Sequence, residues 1–256
     1  MLAQLIPANL FAAFLVFSRI GTAMSFLPGF SDLYVPTRVR LVMALAITVL
    51  LTPVLSSTGG GLPALPTQPM QVFLLVGGEI VVGLFLGLIS RILMAALETA
   101  GMIISLNMNL SNALIFNPAQ QTQESLAGSL MALIGVTLLF VTDLHHLMLS
   151  ALVDSYSLFR PGMALPMADM SRAIAMMVGR SFTIAIELAA PFMIIGVAFY
   201  AVAGLLSRLM PQLQIFFVAL PLQIMGGFAM LTMTLSAIML WYLKTFQDVF
   251  LSLARP

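Results

Sequence analysis

Apolar residues run through this chain in long uninterrupted stretches, broken by short polar or Pro/Gly-containing links. Residues 41–78, 188–207 and 209–243 contain no Asp, Glu, Lys, Arg or His. A membrane-spanning helix needs roughly 20 apolar residues, so each stretch is long enough to cross a bilayer. The runs are continuous and do not alternate with period two. That pattern predicts helices, because a spanning segment must satisfy its own backbone hydrogen bonds.

The pattern predicts six helical segments. The first runs from about Leu5 to Leu27 and stops at Pro28-Gly29; the second runs from about Val39 to Leu55. The links are Ser31 to Arg40, with Pro36 inside it, and the flexible stretch from Ser56 through Gly59-Gly60-Gly61 to Pro69. A third apolar segment runs from Met70 to about Met108, too long for one span and more polar in its second half. After an amide-rich stretch, a fourth helix is expected from Ser125 to Tyr156. A fifth follows from Ser171 to Leu209, kinked at Pro191. The last spans Leu213 to Leu253, with Trp241 and Tyr242 beside Lys244 as an interfacial anchor. The expected fold class is therefore all-α, a polytopic integral membrane protein of long, kinked helical hairpins.

Composition agrees with this reading. Hydrophobic residues make up 61% and charged residues 7% of the 256, with a mean hydropathy of +1.11. Soluble domains carry about 25% charged residues, so this chain lacks the groups to solvate a water-facing surface. A net charge of +1 with no basic patch argues against nucleic acid as a partner. Cysteine is absent, which removes disulfides, thiolate catalysis and Cys-ligated metals. The N-terminus lacks the basic region of a cleavable signal, so the first apolar segment is expected to be retained. The positive-inside rule gives no clean orientation. Alternation that puts Arg38, Arg40 and Arg208 on one side puts Arg160, Arg172 and Arg180 on the other.

Candidate chemistry is sparse. Arg19, Glu79, Arg91, Glu98, Asp143, Arg180 and Glu187 lie in or beside apolar helices, where an unpaired charge costs about 2.5–3.5 kcal/mol. Arg91/Glu98 and Arg180/Glu187 are each seven apart, on one face but two turns distant. Arg91, Glu98 and Glu187 are therefore expected to meet groups on other helices, in particular on other chains. On a helix Asp143 and His146 share a face but His145 does not. With no further ligand nearby in sequence, neither a metal nor a cofactor is expected. Gly83 and Gly87 form a GxxxG pair that permits close helix approach, and Gly226-Gly227 offers the same in the last helix. The twenty methionines read as adaptable packing. The triplet Asn117-Pro118-Ala119 occurs once and beside an amide-rich run, so a water-channel architecture with two inverted copies is not supported. Metalloprotease, hydrolase and P-loop motifs are absent, and no enzyme activity is expected. A stand-alone transporter or channel is the competing class; no convincing internal repeat favours it.

The order of several short motifs is more specific. Arg19-Ile20-Gly21, Pro28-Gly29-Phe30, Val35 to Arg40 and Pro53 resemble the N-terminal signature of the FliR family of type III export-gate proteins. Gly78-Glu79, Gly83, Gly87, Gly101 and Asn117-Pro118 are similar to its central region. Asp143 to His146, Ser155-Tyr156 and Pro161 also resemble it, as do Ala190-Pro191, the tight turn Arg208 to Gln212, and Pro221 to Gln223. The chain departs from the family pattern at Asn109 and Leu144, where Gly is expected, and at Asn117, where an acid is more usual.

The resemblance implies a subunit of the bacterial inner membrane at the flagellar basal body, assembling with FliP-like and FliQ-like chains beside an FlhB-like protein. The assembly would pass unfolded exported proteins and lie in part above the bilayer on the periplasmic side. It implies a FliP-like portion over residues 1–170 and a FliQ-like hairpin over residues 171–256. It implies a pore-closing central loop near residues 107–124. There Leu114, Ile115 and Phe116 form an apolar tip between the amides of Asn107, Asn109, Asn112, Asn117, Gln120 and Gln121. It also implies a cytoplasmic turn at Arg208, Pro211 and Gln212. Injectisome systems use relatives of the same family, and the residues do not separate the two.

Overall fold

The structure is a computed structural model that describes residues 2–32, 34–57, 62–110, 125–210 and 215–254. Among the described residues it has seven helices: α1 Leu2–Met24, α2 Thr37–Ser57, α3 Pro69–Asn107, α4 Leu126–Val141, α5 Leu144–Leu158, α6 Met167–Leu209 and α7 Ile215–Ala254. Four of them, α2, α3, α6 and α7, are long and apolar enough to cross a membrane, and α4 with α5 forms a bent fifth candidate.

Three helices are much longer than a bilayer requires. The 39 residues of α3 correspond to about 58 Å of helix, against a hydrocarbon core of about 30 Å. The apolar segment expected from Met70 to about Met108, too long for a single span, forms one continuous helix. Leu93, Met94, Ala96, Leu97 and Ala100 give this helix a buried face through the region where the sequence turns more polar, while Glu98 stays exposed. Pro191 and Pro221 lie inside α6 and α7 without ending them.

The fourth expected helix is not continuous. It breaks into α4 and α5 with a 75° bend, because Asp143 adopts left-handed backbone (φ 58°, ψ 15°). A residue at positive φ cannot continue a right-handed helix.

Hydroxyl groups on the apolar helices are largely satisfied locally. Ser18, Thr22, Thr48, Thr52, Ser90 and Thr99 each donate to the carbonyl four residues earlier, at 2.6–3.0 Å. Such back-bonding lets a hydroxyl sit in an apolar environment without a partner elsewhere.

By contacts the chain divides into two interleaved compact units: residues 1–93, 139–178 and 246–256 form one, and residues 94–138 and 179–245 the other. In the first, the buried stripe Leu15, Val16, Ile20, Ala23, Met24 and Leu27 lines α1 and its exit. A cluster of Phe85, Ile89 and Met170 joins α3 to α6, with Phe159, Leu165, Ala173 and Ile174 around it. Positive φ at Gly29 (80°) is needed for the turn after α1, and the Phe140 ring occupies the space a Cβ would take there. In the second unit, Leu97, Ala100 and Ile104 of α3, Met131 of α4, Ile184, Ala185, Leu188 and Ala189 of α6, and Leu231, Ile238 and Met239 of α7 are buried. Tyr242 is buried with them, and its hydroxyl donates to Met94 Sδ at 3.2 Å. It is therefore no interfacial anchor; Trp241 and Lys244 beside it are exposed.

Candidate functional site

The most polar construction in the first unit is a buried charge node. Arg19 leaves α1 with 1% of its surface exposed and meets Glu79 of α3, which is 3% exposed. Nε and Nη2 of Arg19 donate to Oε2 and Oε1 of Glu79, at 2.7 and 3.1 Å. Nη2 also donates to the Phe159 carbonyl at 2.7 Å, and Nη1 to Ser155 Oγ at 3.1 Å. The guanidinium lies 3.8 Å from the centre of the Tyr156 ring. Arginine suits this place because its planar fork matches a carboxylate with two parallel bonds and its face stacks on an aromatic ring. One side chain thus ties α1 to α3, α5 and the residue after α5.

Glycines set how closely these helices approach. A Cβ on Gly83 would overlap the Arg19 carbonyl, and one on Gly87 would lie 2.7 Å from Phe26 Cβ and 3.0 Å from the Ala23 carbonyl. The Gly83/Gly87 face of α3 therefore lies directly on α1, one turn from the charge node. In the second unit α3 meets α4 at Gly101 and Gly128, where the two backbones touch. Ser125 Oγ accepts from the Gly128 N–H at 3.1 Å, as an N-cap of α4. It also donates to the Gly101 carbonyl at 3.1 Å.

The C-terminal turn of α3 sits in a socket made by α6 and α7. Asn107 packs on Gly196, and Met108 on Gly227. Gln223, 7% exposed, takes the Asn109 amide on its oxygen at 2.5 Å and donates its own N–H to the Asn107 carbonyl at 2.6 Å. An adjoining cavity of about 250 Å³ is lined mainly by Met108, Phe192, Ile195, Phe199 and Leu222. Asn109 has φ 56°. That explains why Gly and Asn both suit this position: they are the residues that tolerate left-handed backbone. Sequence reasoning missed Gln223 as a partner of this turn, since 114 residues separate it from Asn109. Gly226, beside Gly227, has open space where a Cβ would stand.

The remaining expected site residues are dispersed. Arg91, expected to face another chain, lies 3.7 Å from Asp32 of its own chain while staying 45% exposed. Glu98, Arg180, Glu187 and Arg208 are exposed. Asn112, Leu114, Ile115, Phe116, Asn117, Gln120, Gln121, Pro211 and Gln212 lie outside the described residues. At the α4–α5 bend, Asp143, His145 and His146 come together. The helix-face argument that separated His145 does not apply, because Asp143 stands outside the helix.

Long apolar helices, self-satisfied hydroxyls, glycine-mediated helix crossings and a buried arginine–carboxylate node define a polytopic helical membrane protein. The sequence pattern of the bacterial export proteins, family 1, matches residues 10–249, and the chain belongs to that family. It is 36% identical to the flagellar biosynthetic protein FliR of Caulobacter vibrioides, over 91% of this chain and 92% of that one. It is 32% identical to the flagellar biosynthetic protein FliR of Bacillus subtilis, over 90% of this chain and 88% of the relative. It is also 32% identical to the Yop proteins translocation protein T of Yersinia pestis, over 63% and 65% of the two chains. The chain is thus a membrane component of a bacterial export system.

Proposed function

We propose that this chain is a subunit of the flagellar type III export gate in the bacterial inner membrane. In this reading it assembles with FliP-like and FliQ-like chains, next to an FlhB-like protein, into a pore for unfolded flagellar proteins. Its task is to shape and close a passage, with no covalent chemistry. The single observation that carries the reading is the 36% identity to a flagellar FliR over nine-tenths of both chains.

The surface of the chain supports assembly. Large apolar side chains such as Ile194, Val197 and Leu205 of α6 and Leu222, Met225 and Met233 of α7 are exposed, and charged Arg180 and Glu187 are exposed on α6 as well. Lipid alone would cover the first group but not the second. A neighbouring subunit with polar groups of its own can cover both. Residues 1–170 would then play the FliP-like part and residues 171–256 the FliQ-like hairpin. The central segment near residues 107–124, whose first residues sit in the Gln223 socket, would reach into the passage. The assembly would stand at the basal body, partly above the bilayer on its periplasmic side.

Co-expression with FliP-like and FliQ-like chains tests assembly: native mass analysis of detergent-solubilised membranes should find this chain bound to both. A version shortened within residues 111–119 should still assemble and leave the membrane leaky to small ions. Normal assembly with an ion-tight membrane would remove the gate-closing role. The Yersinia relative supports a second reading, an injectisome gate. Restoration of motility in a host lacking its own flagellar subunit separates the two.

A further inference from the structure

We propose that Asp143, His145 and His146 form a binding site for a borderline divalent transition metal ion, zinc foremost, at the bend between α4 and α5. The left-handed backbone at Asp143 is what makes the site. In a continuous helix His145 would point away from Asp143 and His146. With Asp143 at φ 58°, one ligand atom from each of the three side chains lies within 4.8 Å of the others. Asp143 and His146 are exposed and can swing toward the half-buried His145 to close that spread to a metal's first shell, since Zn–N and Zn–O bonds are about 2.0–2.2 Å.

Two further observations point to a ligand. His145 Nδ1 is buried and has no hydrogen-bond partner among the described residues, although an orphaned buried nitrogen is costly. His146 Nδ1 stands 3.6 Å from Asp143 Oδ1, an ion-pair distance longer than a hydrogen bond, with both side chains open to solvent. The two imidazole rings stand with centroids 4.1 Å apart and planes tilted by 35°, and His145 stacks on Phe140 at 4.8 Å. Phe140 therefore fixes one ring from the α4 side while His146 belongs to α5. Two imidazoles and one carboxylate suit zinc, copper or nickel, whereas calcium and magnesium want oxygen ligands. Three protein ligands leave at least one position for water or for a group from a neighbouring subunit. An ion held here would brace the 75° bend, because binding energy adds to the stability of whatever conformation assembles the ligands.

The chain makes the test unusually clean: these are its two histidines, and it has no cysteine. Every imidazole signal from the full chain, purified in detergent without a histidine tag, therefore comes from this site. Titration with Zn²⁺ should show one ion per chain, and Cu²⁺ should give an electron spin resonance spectrum with coupling to two nitrogens. Asp143→Asn, His145→Gln and His146→Gln should each weaken Zn²⁺ binding by roughly tenfold or more. Their metal-free melting temperatures should stay near the wild-type value, which separates lost ligation from lost folding. No Zn²⁺ binding by the wild type overturns the proposal. So does unchanged binding by His145→Gln, which would leave only an Asp143–His146 ion pair.

Discussion

Arg19 and Glu79 stand 60 residues apart in sequence and meet fork to fork, each carboxylate oxygen accepting one guanidinium N–H. Both are almost wholly buried. Taking two charges out of water is costly, and the pair holds because almost every polar atom in it is matched, including the Phe159 carbonyl and Ser155 hydroxyl. The node therefore specifies how α1, α3 and α5 are arranged more than it adds net stability.

Removing one partner should be far worse than removing both. Glu79→Ala leaves an unpaired guanidinium inside the unit and should cost about 3–5 kcal/mol. The double change Arg19→Met with Glu79→Leu should recover much of that loss. Thermal unfolding of the chain in detergent measures both. A double variant as unstable as Glu79→Ala would mean the charges themselves are not the cause. Arg19→Lys should fall between, since an ammonium cannot reproduce the bidentate fork or the stacking on Tyr156.

The glycines sort into costly and free positions. Gly83→Ala would drive a methyl group into the Arg19 carbonyl, a backbone atom that cannot turn aside. A loss of about 1–3 kcal/mol is expected from separating α3 and α1. Gly226→Ala meets nothing and should be neutral or raise stability by up to about 1 kcal/mol through helix propensity. Gly227→Ala should also be costly, because the new methyl would stand 2.5 Å from Cγ and 3.0 Å from Cβ of the buried Met108, at the root of that side chain. Melting temperatures of the three variants check the order.

The turn 107–109 gives a prediction about backbone as well as hydrogen bonding. Asn109→Gly keeps the positive φ at little cost and loses the bond to Gln223; Asn109→Val loses the bond and strains the backbone. The valine variant should be the less stable by about 1–2 kcal/mol. Gln223→Glu should be worse than a simple loss of contact, because it sets a carboxylate oxygen against the Asn107 carbonyl. Equal stabilities for Asn109→Gly and Asn109→Val would show that the left-handed turn does not survive in the folded chain.

Much of this was legible in the sequence, for a physical reason. Membrane residence follows from composition, and helix positions follow from runs that exceed the span length, so neither needs tertiary information. Gly83 and Gly87 announce a close approach by their spacing, but not that α1 is what approaches. Arg19 and Glu79 could be recognised as charges in apolar helices, yet nothing local pairs residues 60 apart. The bend at Asp143 was hidden for a different reason. Left-handed Asp is tolerated in many turns and required in few, so the apolar run on both sides read as one helix. Tyr242 beside Trp241 and Lys244 looks interfacial as a triplet, while the fold buries Tyr242 and leaves the other two exposed on another face. The central loop rests on resemblance and amide content; Asn107 and Asn109 meet Gln223 at the end of α3, while residues 111–124 lie outside those described.

Glu187 allows the assembly reading to be tested at a single side chain. It is exposed on α6, as are Phe182, Ile186 and Ile194, within a helix apolar enough to span the membrane. In lipid such a carboxylate is a cost of about 2.5–3.5 kcal/mol, and Glu187 has no ion-pair partner among the described residues. If a partner subunit supplies the matching group, Glu187→Leu should have opposite effects on two measurements. The isolated chain should insert and purify as well as the wild type or better, because the cost is gone. Recovery of the complex with FliP-like and FliQ-like chains should fall, because the partner's polar group is left unpaired. A merely structural role inside the chain would lower both. Unchanged recovery of the complex would mean that α6 does not present Glu187 to a neighbour.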